Sequence, residues 1–146
     1  MFNLDNRRPQ DQRPLTLSNG NDGSIIRIDS DGNCLFKAVV EGYKYLGIPI
    51  PTYLTDHLVL RAKVVQELRK PENLQVINST LSDEQGVAID AITDVEREEY
   101  FTKLANPGTW GGTPELYAIA RILQRRIIVH QTGSIIKIPH GTSYDA

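Results

Sequence analysis

Cys34, the single cysteine of the chain, follows a short acidic segment that contains a glycine, Asp29 to Gly32, and opens an apolar run. A cysteine at the start of a helix meets unpaired backbone N–H groups and the positive end of the helix macrodipole, which both favour the thiolate. The same N–H groups can stabilise a developing oxyanion. Cys34 is therefore a candidate nucleophile, although a lone cysteine is more often a small buried hydrophobic residue.

The composition excludes several other classes of function. With 146 residues, the chain has the length of one domain. One cysteine and three scattered histidines form neither a disulfide nor a metal-ligand spacing, and no phosphate-binding glycine motif occurs. The net charge of −2 argues against nucleic-acid binding, and no apolar run reaches transmembrane length.

The beginning of the sequence is polar. Residues 1–23 show no apolar period, so we expect a loosely ordered lead-in there and a single domain over residues 24–146. The first ten residues lack the apolar core of a secretory signal, which predicts an intracellular, cytoplasmic protein, or one in the host cytoplasm if the chain is a pathogen effector. Residues 25–28 predict a strand, and residues 33–46 predict a helix that ends before Gly47.

A second helix is predicted from residue 55 or 56 to residue 70, with Thr55 as its N-cap. Its apolar residues recur at helical spacing and are expected to form one buried stripe, which consists of Leu58, Ala62, Val65 and Leu68. In the segment that follows, the apolar period is weaker. Only short helices are expected there, with one capping box beginning at Ser82.

Two more helices are predicted from their start signals. Thr93 and Glu96 fit a capping box, and the helix over residues 93–105 is expected to turn Val95, Phe101 and Leu104 towards the core. Thr113 is predicted to be an N-cap, because a proline and an acidic residue follow it. The expected buried stripe of this last helix consists of Leu116, Ile119, Ala120 and Leu123.

Two β-branched segments, residues 127–130 and 135–138, are separated by a short turn that contains a glycine, which predicts a β-hairpin. The elements together predict an α+β domain in which helices pack on a small β-sheet.

Two blocks of the sequence resemble those of a known protease family. The segment Asp31-Gly32-Asn33-Cys34-Leu35-Phe36-Lys37-Ala38 is similar to the nucleophile motif of the ovarian-tumour (OTU) family of cysteine proteases, most of whose members are deubiquitinases. Tyr100-Phe101, Trp110-Gly111-Gly112 and Glu115-Leu116-Tyr117-Ala118-Ile119-Ala120 resemble its tryptophan-glycine-glycine signature and the helix after it, and the helix with Leu60-Arg61, Val64 and Val65 is similar to the second helix of the family. The resemblance implies a papain-like fold of OTU type. Trp110 is expected to be an aromatic anchor under the site, in a loop that the resemblance places near the substrate channel.

The resemblance implies a deubiquitinase, in which a thiolate attacks the carbonyl carbon of an (iso)peptide bond to ubiquitin or a ubiquitin-like protein and a histidine acts as the general base. Cys34 matches the nucleophile, and Asp31 matches a residue of the active-site motif. The backbone from Asp31 to Cys34 is expected to form the oxyanion pocket, with Gly32 adopting a conformation that a β-carbon would resist. Asn33 contributes through its backbone or by holding the turn. The expected partner is ubiquitin or a polyubiquitin chain, and such a protease needs no cofactor.

The histidine of the family follows a strand near the C-terminus of the domain and has no close match here. His57 is expected to be a surface or capping residue, and His130 an ordinary strand residue. A further strand of the family would begin just beyond Ala146, so we expect a domain truncated at its C-terminus, with the catalytic histidine beyond Ala146 and His140 as the fallback. Two alternatives stay open, a catalytically dead ubiquitin-binding pseudoenzyme and an adaptor whose cysteine is merely buried.

Overall fold

The computed structural model describes residues 12–16, 22–47, 49, 51–131 and 134–138. The helices of this part are α1 Cys34–Leu46, α2 His57–Leu68, α3 Leu74–Gln85, α4 Asp94–Ala105 and α5 Thr113–Leu123. The strands are β1 Gln12–Thr16, β2 Asp22–Ile26, β3 Ile127–Gln131 and β4 Ser134–Ile138. Single 3-10 turns lie at Thr52–Leu54, Pro71–Asn73 and Ile89–Ala91. Among these residues, no helix is both long and apolar enough to cross a membrane.

The strands form two antiparallel hairpins. In the second, Ile127 pairs with Ile138 and Gln131 with Ser134, which confirms the predicted hairpin. In the first, β1 pairs with β2, so the strand predicted at residues 25–28 begins earlier and ends at Ile26. Strand β1 lies in the segment for which no element was predicted. This strand was missed because its residues show no apolar period, and a strand held by backbone hydrogen bonds to its neighbour does not require one. The remainder of residues 1–21 lies outside the described residues.

Helix α2 is the centre of the helical layer and contacts α1, α4 and α5. The core combines residues from all five helices with residues from the second hairpin, and it includes Leu35, Phe36, Leu60, Val64, Leu68, Ile77, Leu104, Leu116, Ile119, Val129 and Ile138. A two-stranded sheet alone is marginally stable, so the contact of its inner face with the helices stabilises the second hairpin. Helices packed with small sheets confirm the predicted α+β class.

The buried face of α2 differs from the prediction. Leu58 is 44% exposed and Ala62 is also exposed, whereas Arg61 is buried on the inner face together with Leu60, Val64, Val65 and Leu68. Val65 and Leu68 are thus buried as predicted, whereas Leu58 and Ala62 are not, because the buried face includes a charged residue, Arg61, that an apolar period does not indicate. The N-cap is Asp56 and not Thr55, since the Asp56 side chain accepts a hydrogen bond of 2.6 Å from the Leu58 N–H.

Helix α3 is a full helix of 12 residues where only short ones were expected. Ser82 begins no helix but lies near the end of α3, where its hydroxyl donates to the carbonyl of Val87. Thr93 caps α4 as predicted and accepts a hydrogen bond of 3.3 Å from the Glu96 N–H. Val95, predicted to be inward, is 67% exposed.

Helix α5 begins at Thr113, but its N-cap is Gly112, so the predicted cap lies one residue too far along the chain. The N–H of Gly112 donates to the side chain of Glu115, which lies three residues later. Phe101 and Leu104 of α4, and Leu116, Ile119 and Ala120 of α5, are buried as predicted, and Leu123 is half-buried. Helices α1 and α5, which carry the two motif blocks, both contact α2.

Candidate active site

The carboxylate of Asp31 organises the turn that leads into α1. Its Oδ1 accepts from the Asn33 N–H at 2.9 Å, and its Oδ2 accepts from Lys37 Nζ at 3.0 Å. The Cys34 N–H donates to the Asp31 carbonyl oxygen at 3.1 Å. Two N–H groups predicted to form the oxyanion pocket, those of Asn33 and Cys34, therefore already have acceptors in this conformation.

Asp31 is charged at neutral pH. Partial burial disfavours its charged form, but the hydrogen bonds from Lys37 and from the Asn33 N–H outweigh burial and lower the pKa of Asp31. Its negative charge therefore lies within the turn that carries Cys34.

The Cys34 side chain is only 4% exposed at the first residue of α1. Burial raises the pKa of the Cys34 thiol, and the negative charge of Asp31 raises it further. The position of Cys34 at a helix N-terminus predicts the opposite direction, a lowered pKa that favours the thiolate. In this conformation, the effects of desolvation and of the Asp31 carboxylate on the pKa outweigh that of the helix N-terminus. The thiol form of Cys34 therefore dominates at neutral pH.

Gly32 is required by space and not by its backbone angles. A β-carbon at this position would lie 1.6 Å from the carbonyl oxygen of Gly108. Of these two glycines, Gly108 is the one with a left-handed backbone, with φ of 88°. A β-carbon at Gly32 is thus resisted as predicted, but the cause is contact with the Gly108 backbone and not a left-handed φ. The turn before α1 and the loop before α5 pack backbone against backbone, and any side chain would separate them.

A buried arginine that the sequence did not indicate as part of the site joins the same turn. Arg61 Nη2 donates to the Gly32 carbonyl and to Asn33 Oδ1, both at 3.0 Å. Asn33 Oδ1 also accepts from the Gly108 N–H at 2.7 Å. The sequence offered one signal, the resemblance of the Leu60-Arg61 helix to the second helix of the family, which did not by itself connect Arg61 with the turn before Cys34.

The loop that carries the tryptophan-glycine-glycine motif is fixed by a buried carboxyl. Glu115, 2% exposed, accepts from the Gly112 N–H at 2.6 Å through Oε1 and from the Tyr100 hydroxyl at 2.5 Å through Oε2. Burial raises the pKa of Glu115, and burial together with the Glu115 charge raises the pKa of Tyr100. A β-carbon at Gly111 would lie 2.6 Å from Leu35 Cδ2, so this loop also packs directly on α1.

Trp110 is 56% exposed, and the prediction of an aromatic anchor under the site is wrong. Its ring borders a groove of about 870 Å³ between the end of α3 and α4. Four carboxylates line this groove, those of Glu84, Glu96, Glu98 and Glu99. The exposed ring is therefore available for contact with another molecule.

The described histidines do not complete a catalytic pair. His130 is exposed on β3, and His57 is half-buried at the first residue of α2, where it interacts electrostatically with Asp31. Within the described ranges, neither forms a hydrogen bond with Cys34. His140, the fallback base, lies outside the described residues. In the same part of the chain, no group of three or more His, Cys, Asp or Glu side chains could hold a metal ion.

Comparisons with known proteins agree with the two motifs. The family model of the OTU-like cysteine proteases matches residues 29–144. The chain is 27% identical over 128 residues to OVARIAN TUMOR DOMAIN-containing deubiquitinating enzyme 4 of Arabidopsis thaliana, which covers 84% of this chain and 37% of that protein. It is 26% identical over 119 residues to OTU domain-containing protein 3 of Mus musculus, which covers 81% of this chain and 25% of that protein.

The chain thus spans less than two fifths of the length of either of these curated relatives. The family match includes the turn before Cys34, the loop with Trp110 and helix α5. Because it covers more than half of the sequence, the resemblance of the two motif blocks is confirmed, and this chain belongs to the OTU-like cysteine protease family.

Proposed function

We propose that this domain hydrolyses peptide or isopeptide bonds to ubiquitin or a ubiquitin-like protein, with Cys34 as the nucleophile. The observation that carries the proposal is the convergence of the two motif blocks. The turn of the first block and the loop of the second are joined by the Asn33–Gly108 hydrogen bond and by the packing of Gly32 on Gly108. The name of the Arabidopsis relative, a deubiquitinating enzyme, supports the same activity.

In the proposed reaction, a histidine takes the proton of the Cys34 thiol, and the thiolate attacks the carbonyl carbon. The histidine then protonates the leaving amine, and water hydrolyses the thioester. The general base is needed because the pKa of Cys34 is raised in this conformation. Cys34 alone would be mostly protonated at neutral pH.

The oxyanion requires a change in the turn. The N–H groups of Asn33 and Cys34 now donate to Asp31, so they must exchange this acceptor for the substrate oxygen. Asp31 then has two roles in the proposal. It holds the turn in shape in the free protein, and the substrate oxygen must replace its carboxylate as the acceptor of the Asn33 N–H and its backbone carbonyl as the acceptor of the Cys34 N–H.

An electrophilic ubiquitin probe tests the proposal. The probe carries a reactive group at the ubiquitin C-terminus and should label the wild-type chain but not Cys34→Ala. The base is tested by His140→Ala beside His130→Ala and His57→Ala, and by a chain extended past Ala146. Loss of labelling in His140→Ala alone would assign the base to His140, and a large gain in the extended chain would assign it to a later residue. Equal labelling of wild type and Cys34→Ala would refute the nucleophile.

A ubiquitin-binding pseudoenzyme is the second candidate. It is favoured by the burial of Cys34, by its raised pKa and by the lack of a histidine bonded to it among the described residues. A titration with ubiquitin, followed by NMR, separates the two. Binding without cleavage or labelling, unchanged in Cys34→Ala, would support the pseudoenzyme. Neither binding nor labelling would refute both.

A further inference from the structure

Among the residues that the structure describes, Arg61 is the most buried charged residue, 1% exposed, and it lies between three elements. Its Nη1 donates to the Leu104 carbonyl near the end of α4 at 2.8 Å, while its Nη2 donates to the Gly32 carbonyl and to Asn33 Oδ1. The guanidinium also lies over the Phe36 ring, 4.4 Å from its centroid. One side chain of α2 thus fixes both the turn before the nucleophile and the end of α4.

The core alone does not explain this arginine. Burial lowers the pKa of Arg61, and its Nε is buried without a hydrogen-bond partner among the described residues. A buried charge of this kind carries a desolvation cost, and an apolar residue of similar volume often serves a core equally well. A role for the hydrogen bonds themselves is therefore the better explanation.

The bonds set the orientation of one peptide group. In a trans peptide the C=O and the following N–H point in opposite directions. Arg61 holds the Gly32 carbonyl inward, so the Asn33 N–H must point to the other side, where Asp31 Oδ1 accepts it. This N–H is adjacent to Cys34 and is one of the proposed oxyanion donors.

We propose that Arg61 is a positioning residue for the nucleophile, acting through a latch that consists of Arg61, Asn33 and Gly108. The planar fork of an arginine reaches three acceptors at fixed angles, which the single ammonium of a lysine cannot do. The latch holds the Gly32–Asn33 peptide with its N–H on the side opposite Arg61, where Asp31 Oδ1 now accepts it and where the substrate oxygen would replace that acceptor. The effect on catalysis rests on the proposed function, whereas the effect on the turn does not.

The test compares Arg61→Lys with Arg69→Lys. Arg69 is a matched control because it also forks onto acceptors, Glu98 Oε1 and Oε2 at 2.9 and 2.7 Å, and lies over an aromatic ring, that of Phe101. It is, however, exposed at the far end of α2. Asn33→Ala opens the latch from the turn and serves if Arg61→Lys does not fold.

Two readouts are measured, with the fraction unfolded of each variant determined in urea. Iodoacetamide reports Cys34 alone, because the chain has one cysteine. In Arg61→Lys and Asn33→Ala, Cys34 should be alkylated without denaturant several-fold faster than the unfolded fraction of each variant predicts. The reason is that a loosened turn exposes the thiol in the folded protein. Hydrolysis of a fluorogenic ubiquitin C-terminal substrate should lose about tenfold or more in kcat, with KM within roughly twofold. Arg69→Lys should match wild type in both.

The inference is overturned if alkylation of both latch variants follows their unfolded fractions, as it would for a purely structural arginine. It is also overturned if Arg69→Lys changes both readouts as much as Arg61→Lys does. If neither the wild-type chain nor the chain extended past Ala146 hydrolyses the substrate, the proposed activity fails, and the alkylation result alone decides on the latch.

Discussion

Asn33 and Gly108 lie 75 positions apart in the sequence, yet the Gly108 N–H donates a hydrogen bond of 2.7 Å to Asn33 Oδ1. This contact connects the residue before Cys34 with the loop before α5. It is reinforced by the absence of a side chain at Gly32, which lets the two backbones touch. The geometry around Cys34 therefore depends on a distant loop as much as on its own helix.

Gly32→Ala should disrupt this contact. The new β-carbon would collide with the Gly108 carbonyl oxygen, which belongs to the backbone and cannot rotate away. We expect a loss of about 1–3 kcal/mol in the free energy of unfolding and weaker probe labelling of Cys34. The control is Gly42→Ala in α1, where nothing lies within 4 Å and helix propensity predicts a gain of up to about 1 kcal/mol. Equal effects of the two substitutions would contradict this account of Gly32.

Asp31→Ala should lower kcat more than it raises KM, because a turn that holds its donors in place matters most in the transition state. Hydrolysis of a fluorogenic ubiquitin substrate measures both constants. An increase in KM alone, with kcat unchanged, would make Asp31 a residue for binding or capping.

Asp31→Asn should move the alkylation profile of Cys34 to lower pH. The negative charge of Asp31 contributes to the raised pKa of Cys34, so its removal favours the thiolate, while burial of the thiol continues to oppose it. The rate of reaction with iodoacetamide between pH 6 and 10 gives the midpoint. Asp29→Asn, an exposed carboxylate in the same acidic segment, is the control and should leave the profile in place. An unchanged midpoint in Asp31→Asn would exclude the electrostatic coupling.

Glu115→Gln should remove part of the pH dependence of stability. Burial raises the pKa of Glu115 in the folded protein above the ordinary value of about 4.3, so the folded state binds this proton more tightly than the unfolded state. The contribution of Glu115 to the free energy of unfolding is complete below its ordinary pKa. It is lost as pH rises through the raised pKa of the folded state. Urea unfolding between pH 4 and 8 should therefore show a flatter profile in the variant. A profile that keeps the wild-type slope would contradict the assignment.

Trp110→Ala should raise KM several-fold and change kcat little, because the exposed ring borders a groove whose lining includes neither Cys34 nor the turn before it. The free energy of unfolding should change by no more than about 0.5 kcal/mol, as expected for a surface substitution. Ile128→Ala, which removes another exposed apolar side chain on β3, is the control for KM. A loss of kcat with unchanged KM would instead connect Trp110 with the chemistry.

The sequence by itself determined the features that depend on neighbouring residues. The two motif blocks indicated the family, and the cap at Thr93 followed from its own side chain. The start of α1 followed to within one residue from the turn before it. The second hairpin followed from two β-branched segments and a short turn. These elements are encoded locally, because capping, turn formation and β-propensity act over a few residues.

Only the tertiary structure decided what each residue of the site contacts. The burial of Arg61, the exposure of Trp110 and the space that excludes a side chain from Gly32 all arise from segments distant in sequence. The direction of the Cys34 pKa was likewise not encoded in its helix position, because desolvation and the charge of Asp31 depend on the packed surroundings. Long-range packing and the solvent it removes are set by the whole fold, and no local pattern carries that information.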